Sequence, residues 1–141
     1  MTYREAINLG EKVLNMADVA DAKIDAWLLL EMVCKIDRSF YYLHMEDEVA
    51  EEQLSEYEIA LRKRAEHVPL QYIVGEAEFM GLKFKVNSNV LIPRQDTETL
   101  VEEALKVVKP GMNVLDMCTG SGCIIVSIVH NVPEVEGTAT D

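Results

Sequence analysis

Residues 116–122 read Asp-Met-Cys-Thr-Gly-Ser-Gly, an acid at the end of the apolar run "MNVL" followed at once by small residues. Such a loop lets backbone approach a ligand closely, and the free N–H groups at the start of the next helix favour electron-rich groups. Two phosphate-binding patterns fail on residues. The dinucleotide pattern G-x-G-x-x-G fits Gly120 and Gly122, but its third glycine falls on Ile125; a P-loop needs Lys and then Ser or Thr where Cys123 and Ile124 stand. A strand-to-helix turn with no ligand is the bland alternative. Other reactive side chains are scattered. Cys118 and Cys123 have C-x4-C spacing without a second ligand pair, so a structural role is expected and no metal. His44, His67 and His130 have no nucleophile set beside them and are expected on helix surfaces.

Started from the acid, Asp116-x-Cys118-x-Gly120-x-Gly122 resembles motif I of S-adenosylmethionine-dependent methyltransferases, acid-x-Gly-x-Gly-x-Gly at the end of a first strand. That resemblance implies that Cys118, Thr119, Gly120, Ser121 and Gly122 face S-adenosyl-L-methionine and that Asp116 acts indirectly. Cys118 replaces the first glycine, which is tolerable if the position keeps a negative φ. Asp141 ends the next expected strand, 25 residues after Asp116, where this class places an acid on the ribose hydroxyls.

The elements around the loop follow from periodicity. Thr2 and Glu5 fit a capping box, and Ala6, Leu9, Val13 and Met16 predict a first helix running to about Asp18. A second helix is predicted over 22–36 on a stripe of Ala26, Leu29, Leu30 and Val33, and a short third helix after an Asp37 or Ser39 cap. A fourth spans about 48–67 with Val49, Leu54, Tyr57 and Leu61 inward, and Pro69 stops it. In "AEFMGLKFKVNSNVLIP", Leu82, Phe84 and Val86 alternate with Lys83 and Lys85, which predicts a hairpin or short meander ending at Pro93. A helix capped by Asp96 or Thr97 follows, with Leu100, Val101, Ala104, Leu105 and Val108 apolar. Then come a strand at 114–116, the loop, a helix over about 123–130 and a second strand ending at Asp141. Helix–strand–helix–strand is the rhythm of an α/β fold with a parallel sheet. Two strands leave such a sheet unfinished, so the chain reads as truncated.

Composition bounds the partners. Hydrophobic residues make up 49% and charged residues 27% of the 141, a globular balance. Net charge is −12, about −7 over residues 1–70 and −5 over the rest, which argues against direct nucleic-acid binding. No apolar stretch approaches the roughly 20 residues that span a bilayer, and "MTYREAINLGEK" lacks the layout of a signal peptide. Three cysteines without a paired framework suit a reducing cytoplasm.

"HVPLQYIVGEAEFMGLKFKV" and "VLIPRQDTETLVEEAL", with "DAWLLLEMV" at 25–33, resemble the protein-glutamine methyltransferases of peptide-chain release factors, the HemK/PrmC family, over essentially the whole chain. The resemblance implies a helical substrate-recognition domain at 1–70, a β-hairpin linker at 71–94, and at 95–141 the start of a Rossmann-like methyltransferase domain. It implies transfer of a methyl group to the glutamine side-chain amide of a Gly-Gly-Gln tripeptide in release factors. It puts Arg94 at a turn near the cofactor pocket; pairing with Asp96 and Glu98 is the alternative. Thr97 and Glu98 read as a cap and a first-turn acid. The family's catalytic Asn-Pro-Pro-Tyr occurs nowhere in these 141 residues, so no catalytic residue is expected in this chain. Two other readings stand beside this one. One is a DNA or RNA amino-methyltransferase, which meets a similar nitrogen problem and which the acidity opposes. The other is a non-enzymatic, release-factor-binding helical module. Trp27 stays open between core and partner surface, and Tyr41, Tyr42 and Met45 are expected in the bundle core.

Overall fold

In the computed structural model, which describes residues 1–141, the chain divides into two units, Met1–Val74 and Gly75–Asp141. The first is helical: α1 (Tyr3–Met16), α2 (Ala22–Cys34), α3 (Arg38–His44), α4 (Glu51–Ala65) and α5 (Leu70–Val74). The capping box is present. Glu5 N donates to Thr2 Oγ1 at 3.2 Å and Thr2 N to Glu5 Oε2 at 2.9 Å. Asp37 caps α3, accepting from Phe40 N at 2.7 Å. No helix of the chain is long and apolar enough to cross a membrane.

The core of this unit joins Ala6, Leu14, Ala26, Leu29, Leu30, Tyr57 and Leu61. On α1 the buried stripe is Tyr3, Ala6, Gly10 and Leu14 rather than the one expected; Met16 is 78% exposed. Gly10 explains the shift, because it brings α4 close. A Cβ there would overlap the Tyr57 phenol oxygen and lie 3.1 Å from Ala26 Cβ. The phenol donates to Ala26 O at 3.0 Å, and burial pushes its pKa well above the ordinary tyrosine value. Tyr42 is also corrected: it is 62% exposed, outside the bundle core.

The fourth helix starts three residues later than expected because residues 47–49 are extended against the N-terminus. Tyr3 N donates to Asp47 O, Val49 N donates to Met1 O, and Thr2 and Glu48 form an antiparallel bridge. At its other end His67 takes φ +63° and Val68 N reaches back to Lys63 O at 3.1 Å, a left-handed stop two residues before Pro69. The chain then turns helical again as α5, which the stop signal at Pro69 concealed. Tyr72 N donates to Pro69 O, because proline is well suited to a first turn.

The second unit contains β1 (Glu76–Phe79), β2 (Leu82–Lys85), α6 (Gln95–Val107), β3 (Asn113–Met117), α7 (Cys123–Asn131) and β4 (Glu136–Thr140). β1 and β2 pair antiparallel from Glu76↔Lys85 to Phe79↔Leu82, around Met80 and Gly81, both at positive φ. Ala77, Phe79, Phe84 and Val86 are buried while Lys83 and Lys85 face water. Phe79 and Phe84 meet edge to face and join Val101, Cys123 and Ile128 in one cluster. No strand forms at 90–93. Val90 N turns back to Asn87 O, and Leu91 is 72% exposed. α6 starts earlier than its expected caps, with Arg94 at the N-cap, and Leu100 is exposed rather than inward.

β3 and β4 run parallel, in register from Asn113↔Glu136 to Met117↔Thr140, with α7 as the crossover. Gly137 lets that helix sit close: a Cβ there would lie 2.7 Å from Val129 Cγ2 and 3.0 Å from Ile125 Cγ1. Val114 and Asp116 on this face are half-buried, while Leu115 and Met117 on the other are exposed. The fold is thus mainly helical, with one antiparallel and one parallel pair of strands.

Candidate functional site

β3 delivers Asp116 at the carboxyl end of the parallel pair, where ligands of open α/β sheets bind. The loop after it is pinned chiefly through Thr119. Its hydroxyl donates to Asp116 Oδ2 at 2.8 Å, its N–H donates to Thr140 O at 3.0 Å, and its carbonyl accepts from Gly122 N at 2.9 Å. One residue therefore fastens the loop to both strands and to the helix start. Gly120 at φ +56° and Gly122 at φ +77° supply left-handed backbone that side chains oppose. A Cβ on Gly120 would meet nothing within 4 Å, so the space in front of it is open.

From Gly122 the chain enters α7, and Val126 N donates to Gly122 O as the first helical bond. The N–H groups of residues 123–125 precede that bond and have no partner within the helix. Asp141 comes to the same place from β4: its Oδ1 accepts from Gly120 N at a long 3.4 Å. The strand-end acids and the glycines, far apart in sequence, thus converge on one rim. A carboxylate, unpaired N–H donors and an open glycine backbone together suit a ligand carrying both hydroxyls and electron-rich groups.

Two expectations change. Cys118 has φ +61°, not the negative value that would make a side chain harmless, and it is exposed. A non-glycine residue in that region costs about 1–2 kcal/mol. Cys118→Gly is therefore expected to raise the melting temperature of the second unit, read by calorimetry; a lower melting temperature would refute the strain. Thr97 is no cap: its N–H donates to Arg94 O. Arg94 is exposed, and no hydrogen bond or ion pair joins it to Asp96, Glu98 or the loop.

Glu98 does more than flank a helix start. Its Oε1 accepts from Met80 N at 2.6 Å and so ties the hairpin turn to α6. An acid in a first helical turn gives no sign of this, because the partner is a backbone group 18 residues earlier. Cys123 is buried in the apolar cluster with Phe79 and Phe84. His44 stacks on Phe40 and pairs with Asp47 at 2.7 Å; His67 and His130 are exposed.

Residues 5–75 match the family model described as the PrmC N-terminal domain. Among curated proteins, the chain is 38% identical over its full length to a release factor glutamine methyltransferase of Moorella thermoacetica. It is 41% identical to the protein of that name from Clostridium acetobutylicum and 36% identical to that from Koribacter versatilis, again over its full length. The chain spans about half the length of the curated relatives it matches: 50%, 50% and 51% of these three.

Proposed function

This chain belongs to the PrmC N-terminal domain family, and from that premise we propose that it is the cofactor-facing and substrate-engaging part of a release factor glutamine methyltransferase. In this reading residues 1–70 recognise the release factor, 71–94 link, and 95–141 begin a Rossmann-like catalytic domain. The reaction is methylation of the side-chain amide of the glutamine in Gly-Gly-Gln. The protein works in the cytoplasm and on protein rather than on nucleic acid, in keeping with three free cysteines and a net charge of −12.

The observation that carries the reading is the meeting of the loop 118–122 with Asp141 across the parallel pair. S-adenosylmethionine supplies a sulfonium-activated methyl group. The residues present suit it: open space stands before Gly120, unpaired N–H donors follow Gly122, and Asp141 brings a carboxylate fit for vicinal hydroxyls. Asp116 acts through Thr119, holding the loop in register rather than touching the cofactor. Arg94 lines the pocket from the start of α6. An amide nitrogen is a poor nucleophile, so acceptors for its N–H hydrogens must orient it. Asn-Pro-Pro-Tyr, which provides them in the family, does not occur in the 141 residues.

Two outcomes follow. The 141-residue polypeptide is expected to transfer no methyl group to purified release factor, measured with radiolabelled S-adenosylmethionine; turnover would overturn the division of labour. In an NMR titration of the 15N-labelled chain, S-adenosylmethionine is expected to bind weakly and to shift the amides of Gly120, Ser121 and Gly122. Asp141→Asn is expected to reduce those shifts. If the loop amides stay still at millimolar cofactor, the assignment of the loop fails.

A further inference from the structure

The helical unit has a groove that the cofactor reading leaves unused. It lies between α1, α2 and α3 and is lined by Trp27, Tyr41, Tyr42, Arg38, Lys23 and Ile24. Its floor is ordered by aromatic contacts: Trp27 and Tyr41 meet edge to face at 5.4 Å, and Tyr41 and Tyr42 at 5.5 Å. The Arg38 guanidinium sits 5.0 Å from the centroid of the Trp27 ring. Ile24 and Tyr42, at 54% and 62% exposure, form apolar walls open to water.

The charges select the occupant. Residues 1–70 carry about −7, yet this groove presents two exposed cations, Lys23 and Arg38, neither in an ion pair, against the single acid Glu11. Arg38 is already held over the indole, so pairing with a carboxylate costs it little side-chain freedom. Other exposed cations of the unit, Lys12, Lys35, Arg62 and Lys63, do not line the groove, whereas here the cations stand beside the exposed apolar walls of Ile24 and Tyr42. Trp, Tyr and Arg are also the residue types that carry most binding energy at protein interfaces. We propose that this groove docks a segment of the release factor that presents an Asp or Glu beside an aliphatic or aromatic side chain. The proposal rests on the release factor being the partner.

Trp27 is the single tryptophan of the chain, so its emission reports from inside the groove. With the chain labelled by 5-hydroxytryptophan, to separate its signal from the partner's, titration with purified release factor should give a saturable change. Lys23→Glu and Arg38→Glu should each weaken binding about tenfold, and Arg38→Lys less, since it keeps the charge and loses the planar fork. Tyr42→Ala, at an exposed site, should weaken binding with the far-ultraviolet circular dichroism unchanged. Equal affinity in all four variants overturns the groove while the enzyme reading stands. No binding of release factor overturns the proposal as stated, and the Gly120 titration then decides the cofactor reading separately. A change of emission with chain concentration alone, or with single-stranded RNA in place of the protein, also overturns it.

Discussion

Gly10→Ala is expected to destabilise the helical unit by about 2–3 kcal/mol, even though alanine is the better helix former. Propensity alone would favour the substitution by about 1 kcal/mol at a mid-helix position. Packing opposes it more strongly. The new methyl would overlap the Tyr57 phenol oxygen, and Tyr57 is fully buried, with its hydroxyl committed to Ala26 O at 3.0 Å. To make room, either the ring must leave a close-packed core or α1 must move away from α4. Moving the ring also strands a buried hydroxyl, worth about 1–3 kcal/mol. The clash predicts coupling. Tyr57→Phe alone should cost about 1 kcal/mol, and Gly10→Ala should cost less in that background than in the native one, although Cζ at 3.0 Å keeps the site tight. Urea denaturation of the four proteins of this cycle measures it. A stabilised Gly10→Ala would show that the helices separate without cost.

The contrast between Gly10 and Gly122 shows what a single sequence can disclose. Gly122 stands in a short stretch whose acid, small residues and following apolar helix all point one way. The β3–α7–β4 unit was legible in outline for that reason, and Asp141 could be placed at its rim by counting. Gly10 interrupts a helical stripe between Ala6 and Leu14, where a glycine in a helix core face is itself a mark of close approach. Its partner, 47 positions on, leaves no local trace. The condition set on Cys118 fails for another reason: residue type constrains φ only statistically, and here the loop's bonds at Thr119 impose a left-handed turn on a cysteine. The same limit hid Glu98, whose partner is a main-chain N–H, and let the extended residues 48 and 49 pass for helix. Arg94 shows the same limit: it is exposed at the N-cap of α6, and nothing local to it fixes a side-chain partner.

Arg64→Met is the other substitution expected to be severe, at about 3–5 kcal/mol. Asp25 on α2 is 5% exposed, and Arg64 Nε on α4 donates to its Oδ2 at 2.6 Å. Arg64 also donates through Nη1 to Val68 O, so one guanidinium links α2 and α4 to the chain that leads into α5. Removing the guanidinium leaves a buried carboxylate without its cation, and the penalty is mostly that charge rather than the lost contact. Truncating the other partner should be milder. In Asp25→Ala, Arg64 keeps a long stem and a side chain 19% exposed, so its head can turn toward water. The double variant Asp25→Leu/Arg64→Met removes both charges and should recover most of the stability, because an apolar pair of similar volume often matches a buried ion pair. A helical domain of this size has only about 5–15 kcal/mol in total, at about 4–8 °C of melting temperature per kcal/mol. Arg64→Met alone should therefore lower the transition by tens of degrees, or abolish it. A loss below about 1 kcal/mol, measured by urea denaturation, would mean that water reaches Asp25 once the guanidinium is gone. The ordering of Arg64→Met, Asp25→Ala and the double variant distinguishes an isolated buried charge from simple loss of packing, since packing alone makes the double variant the worst of the three.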